Sequence, residues 1–178
     1  MSAINAVTFA KRFESLGSFL SGDEIEELLR HLPERRVATG EVILREGGTA
    51  SQAFLVWEGT LAVRLGDGEN ALDVGRSEPG MMVGEIAFLD SGPVSATVTA
   101  STDGVLLVLG RAELEKLRDA YPRIATSLLR ALSKSLAARL RGASAALERM
   151  RGVPPTEPSG HHHGILDGLR TLFGLARH

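Results

Sequence analysis

The chain of 178 residues contains no cysteine. That absence excludes disulfides, thiolate zinc sites and iron–sulfur clusters, and it fits a reducing cytoplasm. Aromatics are scarce: six Phe, one Trp and one Tyr. Trp57 and Tyr121 are therefore read as packing residues rather than as a platform for stacked bases. No apolar run approaches the length that spans a bilayer. The first segment lacks the basic start and long apolar core of a secretion signal, because Lys11, Arg12 and Glu14 interrupt it. Neither charge sign dominates, with 20 Lys+Arg against 22 Asp+Glu, and 43% of residues are hydrophobic. This balance argues against a disordered main body. His-Glu-x-x-His, Gly-x-Ser-x-Gly and phosphate-loop patterns are all missing, so no catalytic nucleophile or base is nominated and an enzyme is not expected. The three consecutive histidines, 161–163, read as adventitious surface binders, so no metal site is expected either. The expectation is a soluble, cytoplasmic, non-catalytic protein.

What is present divides into three patterns. Residues 4–20 place Phe9, Phe13, Leu16 and Leu20 at helical spacing, with Gly17 as a weak point. Ser21-Gly22-Asp23-Glu24 predicts a capping box that opens a second helix, whose apolar face is Ile25, Leu28, Leu29 and Leu32 before Pro33. From Val37 to Leu109 the pattern changes to short aliphatic runs broken by Gly, Asp, Ser and Pro. Gly66-Asp67-Gly68 marks a hairpin turn between them. Many short strands argue for a small barrel or roll. After Gly110 the helical period returns, first as a short helix over 112–120 and then as a long one from Pro122 to about Arg151.

One stretch carries the chemistry. Gly84-Glu85-Ile86-Ala87 opens a short apolar turn, Asp90-Ser91-Gly92-Pro93 forces a loop, and Val94-Ser95-Ala96-Thr97-Val98 leads into a strand. A glycine followed by a single helical turn leaves backbone N–H groups unpaired, which suits an anion. The segment resembles the phosphate-binding cassette of cyclic nucleotide-binding domains, as in the catabolite activator family and the regulatory subunits of cAMP-dependent kinase. Those domains usually carry Gly-Glu-(Leu/Ile)-Ala followed by Pro-Arg-(Ala/Ser)-Ala-Thr-Val. The resemblance extends to Gly40 through Gly47, to Phe54 through Val63, and to the last strand and long helix, about three quarters of the chain. It implies an α+β, mainly β, fold: a β-roll over 37–110, flanked by N-terminal helices (1–33) and C-terminal helices (111–151).

The resemblance also implies a ligand site formed by Met82, Val83, Gly84, Glu85, Ile86, Ala87, Val94, Ser95 and Ala96, with cAMP or cGMP as the ligand to consider first. Glu85 would accept a hydrogen bond from the ribose 2′-hydroxyl, and Gly84 would let the backbone approach the sugar-phosphate. The N–H groups of Ile86 and Ala87 would face the phosphate, and Ser95 would add a hydroxyl. Met82 and Val83 would line the pocket. Val94 is the departure, because it stands where the family places its phosphate-binding arginine. Losing one side of such a charged contact costs about 2–5 kcal/mol. That is roughly thirty-fold to several-thousand-fold in affinity. Arg45, Arg64 and Arg76 are the nearby cations that could compensate.

In the long helix, Leu129, Leu132, Leu136, Leu140, Ala143, Leu147 and Met150 form a seam close to the coiled-coil repeat; homodimerisation through it is the expectation, with packing back on the β-roll as the alternative. The arginines along this region, among them Arg118, Arg123, Arg130, Arg139 and Arg141, read as a solvated face. Residues 152–164 read as a flexible linker, and 165–178 as a short amphipathic tail helix bearing Ile165, Leu169, Leu172, Phe173 and Ala176. A helix this short must dock to be stable. Its expected contact over 165–177 is either its own domain or dimer mate, or a groove of another protein or a membrane surface. In the activator family a winged helix-turn-helix follows the dimer helix; here the tail offers none, so sequence-specific nucleic-acid binding by this chain alone is not expected.

Overall fold

Two strands carry unbroken apolar runs in place of the alternation typical of a half-buried strand. β3 (Gln52–Glu58) reads Ala-Phe-Leu-Val-Trp within, and β8 (Gly104–Gly110) reads Val-Leu-Leu-Val-Leu. The computed structural model describes residues 3–66, 68 and 71–150 and explains these runs. β3 and β8 pair antiparallel at the centre of a sheet ordered β1-β8-β3-β6, where β1 is Glu34–Val37 and β6 is Met82–Val83. On one face Phe54, Val56, Leu106 and Val108 meet Leu44, Leu61, Val98 and Ala100 inside a roll. On the other, Ala53, Leu55, Trp57, Leu107 and Leu109 meet a layer of helices. Both faces are dry, so polar alternation is lost.

The opposite wall of the roll is a second antiparallel sheet ordered β2-β7-β4-β5. Its strands are β2 (Val42–Leu44), β4 (Leu61–Leu65), β5 (Leu72–Ser77) and β7 (Thr97–Ala100). The β4–β5 pair is the expected hairpin; its tip at Asp67, Glu69 and Asn70 lies outside the described residues. The fold is the mainly β roll with flanking helices that the sequence implied, with the first strand beginning at Glu34 rather than Val37.

The N-terminal helical pattern is interrupted. α1 (Ala6–Arg12) and α2 (Glu14–Gly17) are separated at Phe13, whose backbone leaves the helical region at φ −109°, ψ 65°. Phe13 is buried against Phe9, with centroids 4.8 Å apart, and against Trp57 at 6.4 Å. α3 (Gly22–Arg30) begins with the anticipated capping box. The Glu24 N–H donates to Ser21 Oγ at 3.3 Å, and the Ser21 N–H donates to Glu24 Oε2 at 2.9 Å.

α5 (Arg111–Ala120) and α6 (Pro122–Met150) complete the fold. The buried stripe of α6 is Ile124, Ala125, Leu128, Ala131 and Leu132. Among the described residues it coincides with the sequence-derived seam at Leu132 alone. Leu129 and Leu140 are 40% and 70% exposed. Met1–Arg139 forms one compact unit, whose boundary falls inside α6 between Arg139 and Leu140. The linker 152–164, the histidines 161–163 and the tail 165–178 lie outside the described residues, as do the side chains at 143 and 146–150. Among the described residues, no helix is long and apolar enough to cross a membrane.

Candidate ligand-binding site

The short β6 strand hands the chain to α4 (Glu85–Asp90) through Gly84, which sits in the left-handed region at φ 78°. A Cβ built there would lie 2.9 Å from Leu44 Cδ1 and 3.1 Å from the Gln52 carbonyl oxygen. The protein itself occupies the space, a sufficient reason for glycine without reference to a ligand. Gly84 has no side chain with which to cap α4. The first intrahelical bond is the Phe88 N–H donating to the Gly84 carbonyl at 3.0 Å, so the amides of Glu85, Ile86 and Ala87 have no acceptor within the helix.

The far side of the cassette is pinned to the turn after β2. The Val94 N–H donates to the Gly48 carbonyl and the Gly47 N–H donates to the Val94 carbonyl, both at 2.8 Å. Residue 94 is thus held from two sides, and its side chain is buried. The Arg111 guanidinium donates to the Phe88 carbonyl at 2.8 Å, tying α5 to the end of the cassette helix.

Together these elements enclose a cavity of about 30 Å³. Of the sequence-derived residues, Val83, Gly84, Glu85, Ile86, Ala87, Val94, Ser95 and Ala96 line it. Met82 does not; the strand directs it into the helix-side core, and only its carbonyl faces the site's edge, accepting a hydrogen bond from Arg139. Leu44, Val63 and Val98 add to an apolar wall. Arg45, Arg64 and Arg76 are not in the wall.

The cation that does reach the site is Arg139 of α6. Its Nη1 lies 3.0 Å from Glu85 Oε1, and its Nη2 donates to the Met82 carbonyl. The Glu85 side chain is 1% exposed and that of Arg139 is 43% exposed. Despite the short separation, neither Glu85 oxygen accepts a hydrogen bond. The contact is an ion pair whose donors are misaligned, leaving a buried carboxylate incompletely satisfied. Burial pushes the Glu85 carboxyl above its ordinary range, opposed by the Arg139 charge and by its own backbone amide.

Arg139 corrects the reading of the α6 arginines as a solvated face. Arg123 also pairs, with Glu24 at 2.9 Å, and Arg130 lies over the Phe19 ring at 4.4 Å. Nothing in the local sequence separates Arg139 from its neighbours. Its partner is 54 positions away (139 minus 85), and the pairing exists only after α6 folds back along the roll. Among the described residues, no cluster of His, Cys, Asp and Glu could hold a metal ion.

A family profile described as "Cyclic nucleotide-binding domain" matches residues 34–121. The chain is 33% identical over 145 residues to a cyclic nucleotide-gated potassium channel of Rhizobium etli, covering 82% of this chain and 34% of the channel. It spans about a third of the length of the channel relatives it matches. Among solved structures, a cyclic nucleotide-binding domain from Methylobacillus flagellatus superimposes with a TM-score of 0.73 at 21% identity, covering 86% of this chain and 88% of that one, a likeness of fold. The catabolite activator protein of Thermus thermophilus superimposes with a TM-score of 0.65 at 28% identity, covering 77% and 63%.

Proposed function

Because residues 34–121 belong to the cyclic nucleotide-binding domain family, we propose that this chain is a non-catalytic regulatory module. It takes a small ligand in the cassette and transmits occupancy through α6. The observation that carries this reading is the buried Glu85, incompletely satisfied in the cavity wall and paired with a residue of the helix that would carry the signal. A ligand that donates hydrogen bonds to Glu85 must compete with Arg139, so pocket and helix are coupled.

The ligands to test first are cAMP and cGMP, bound weakly because Val94 supplies neither charge nor donor. A cavity of about 30 Å³ is far below the roughly 300 Å³ at which ligand pockets begin. Entry of a nucleotide therefore requires the site to open, and the affinity is reduced by the population of that open state. Calorimetry with either nucleotide should give a dissociation constant weaker than about 10 µM. Submicromolar binding abolished by Glu85→Ala would overturn the weakened-site reading.

Self-association through α6 belongs to the same proposal, since Leu129 and Leu140 present apolar side chains to solvent. A cytoplasmic setting suits the cysteine-free composition. The small cavity also favours a second reading, in which the fold serves as a ligand-free dimeric scaffold acting through the tail at 165–177. Removing residues 153–178 separates the two. Loss of a co-purifying protein or of membrane association, with the dimer intact, supports the scaffold; an unchanged partner set with nucleotide binding retained supports the sensor.

A further inference from the structure

The cassette has lost its own cation at position 94, yet a guanidinium lines the cavity from outside the cassette. Resting on the ligand-binding reading above, we propose that Arg139 reads the negative charge of the ligand. It would do from α6 what an arginine at position 94 would do from within the roll. The ligand class that follows carries hydrogen-bond donors for Glu85 on one part and an anionic group on another, as a ribose phosphate does.

Four observations converge. Glu85 is nearly fully buried, unpartnered by any hydrogen bond, and in the cavity wall, so it lacks donors that a ligand would bring. Arg139 is the cation among the described lining residues. Its contacts employ Nη1 at Glu85 and Nη2 at the Met82 carbonyl, so part of the five-donor fork is unused. Finally, Val94, Val63, Val98 and Leu44 make the opposite wall apolar, so an anion entering there finds no side-chain charge except from α6.

The exchange follows from these positions. In this structure the guanidinium stands 3.0 Å from Glu85, the one buried carboxylate among the described lining residues. When hydroxyl donors of a ligand satisfy Glu85, Arg139 is released to the ligand's anionic oxygens, where charge-assisted and bidentate contacts are available. The helix residue thus changes partner between the two states, a differential contact of the kind that occupancy needs in order to bias α6. Because its side chain is 43% exposed, the contact is screened by solvent and weaker than a buried arginine would make.

The test compares cAMP with adenosine, which shares the base and ribose but has no charge. In the wild-type protein at low salt, the ratio of the adenosine to the cAMP dissociation constant should be at least about ten. In Arg139→Gln the ratio should fall severalfold, to what the amides of 85–87 and Ser95 supply, while Arg139→Lys keeps part of the difference as a point charge. A ratio unchanged in Arg139→Gln, or a wild-type ratio near one, would overturn the assignment of charge reading to Arg139 and leave the binding reading standing. A wild-type protein that binds neither probe would overturn both. Should the glutamine variant fail to fold, the wild-type ratio measured against ionic strength decides. It should fall as salt screens the half-exposed guanidinium, and a salt-independent ratio counts against the proposal.

Discussion

Replacing Gly84 by alanine tests whether the cassette is held by packing against the roll. Two costs add. Gly84 has φ 78°, and a residue with a Cβ held in the left-handed region is disfavoured by about 1–2 kcal/mol. The new methyl would also stand 2.9 Å from Leu44 Cδ1 and 3.1 Å from the Gln52 carbonyl oxygen, and only the leucine can move. Overpacking of this kind costs about 1–3 kcal/mol. The sum is about 2–5 kcal/mol, which lowers Tm by roughly 5–20 °C for a domain of this size. Gly40 provides the control: its φ is 85°, and a Cβ there meets nothing within 4 Å. Gly40→Ala therefore carries the backbone cost alone, about 1–2 kcal/mol. Urea denaturation followed by far-ultraviolet circular dichroism gives both values from the same two-state analysis. Equal losses in the two variants would refute the claim that Leu44 and Gln52 fill the space beside Gly84. A loss below about 0.5 kcal/mol at Gly84 would refute the backbone argument as well.

Glu85→Gln should change how stability depends on pH. The folded carboxyl titrates above its unfolded range, so the folded state binds more protons over that interval. The wild-type contribution is therefore most favourable below the ordinary carboxylate range and declines as pH rises through the folded value. The glutamine variant should lose that decline, and unfolding midpoints measured from pH 4 to 8 that match the wild type would contradict it. Glu24, lowered by the Ser21 amide with Arg123 assisting against its burial, works in the opposite sense. Its contribution is present above the ordinary range and lost on acidification, so Glu24→Gln should flatten the acid limb of the curve. Leu140→Arg should weaken self-association in sedimentation equilibrium without lowering Tm, because Leu140 is 70% exposed. Dimerisation unaffected by that change would place the contact elsewhere.

The parts of this protein legible in sequence are those fixed by local chemistry. Ser21 and Glu24 lie three residues apart, and their reciprocal hydrogen bonds need nothing else. The glycine-punctuated strands and the cassette likewise carry their own turn signals. What was hidden depends on distant surfaces. β3 and β8 lose their alternation because helices cover the outer face of their sheet. The break falls at Phe13 rather than at Gly17, and the Phe13 ring packs against Trp57, 44 residues later (57 minus 13). On α6 leucines occur on two stripes, and only the roll decides which of them becomes core, leaving Leu129 and Leu140 of the other exposed. Arg139 is the consequential case. A helix rich in arginine gives no local sign of which guanidinium meets a buried carboxylate.

On the proposed reading, the turn at Gly84–Ala87 binds an anion with valine rather than a cation at position 94. Val94→Arg tests it most directly, because two backbone hydrogen bonds fix that position and the side chain already faces the cavity. Titration of the folded variant with cAMP by calorimetry should show affinity raised by at least about thirty-fold over the wild type, the lower bound for gaining a charged contact in a partly dry site. An unchanged affinity, with the unfolding midpoint also unchanged, would contradict the account.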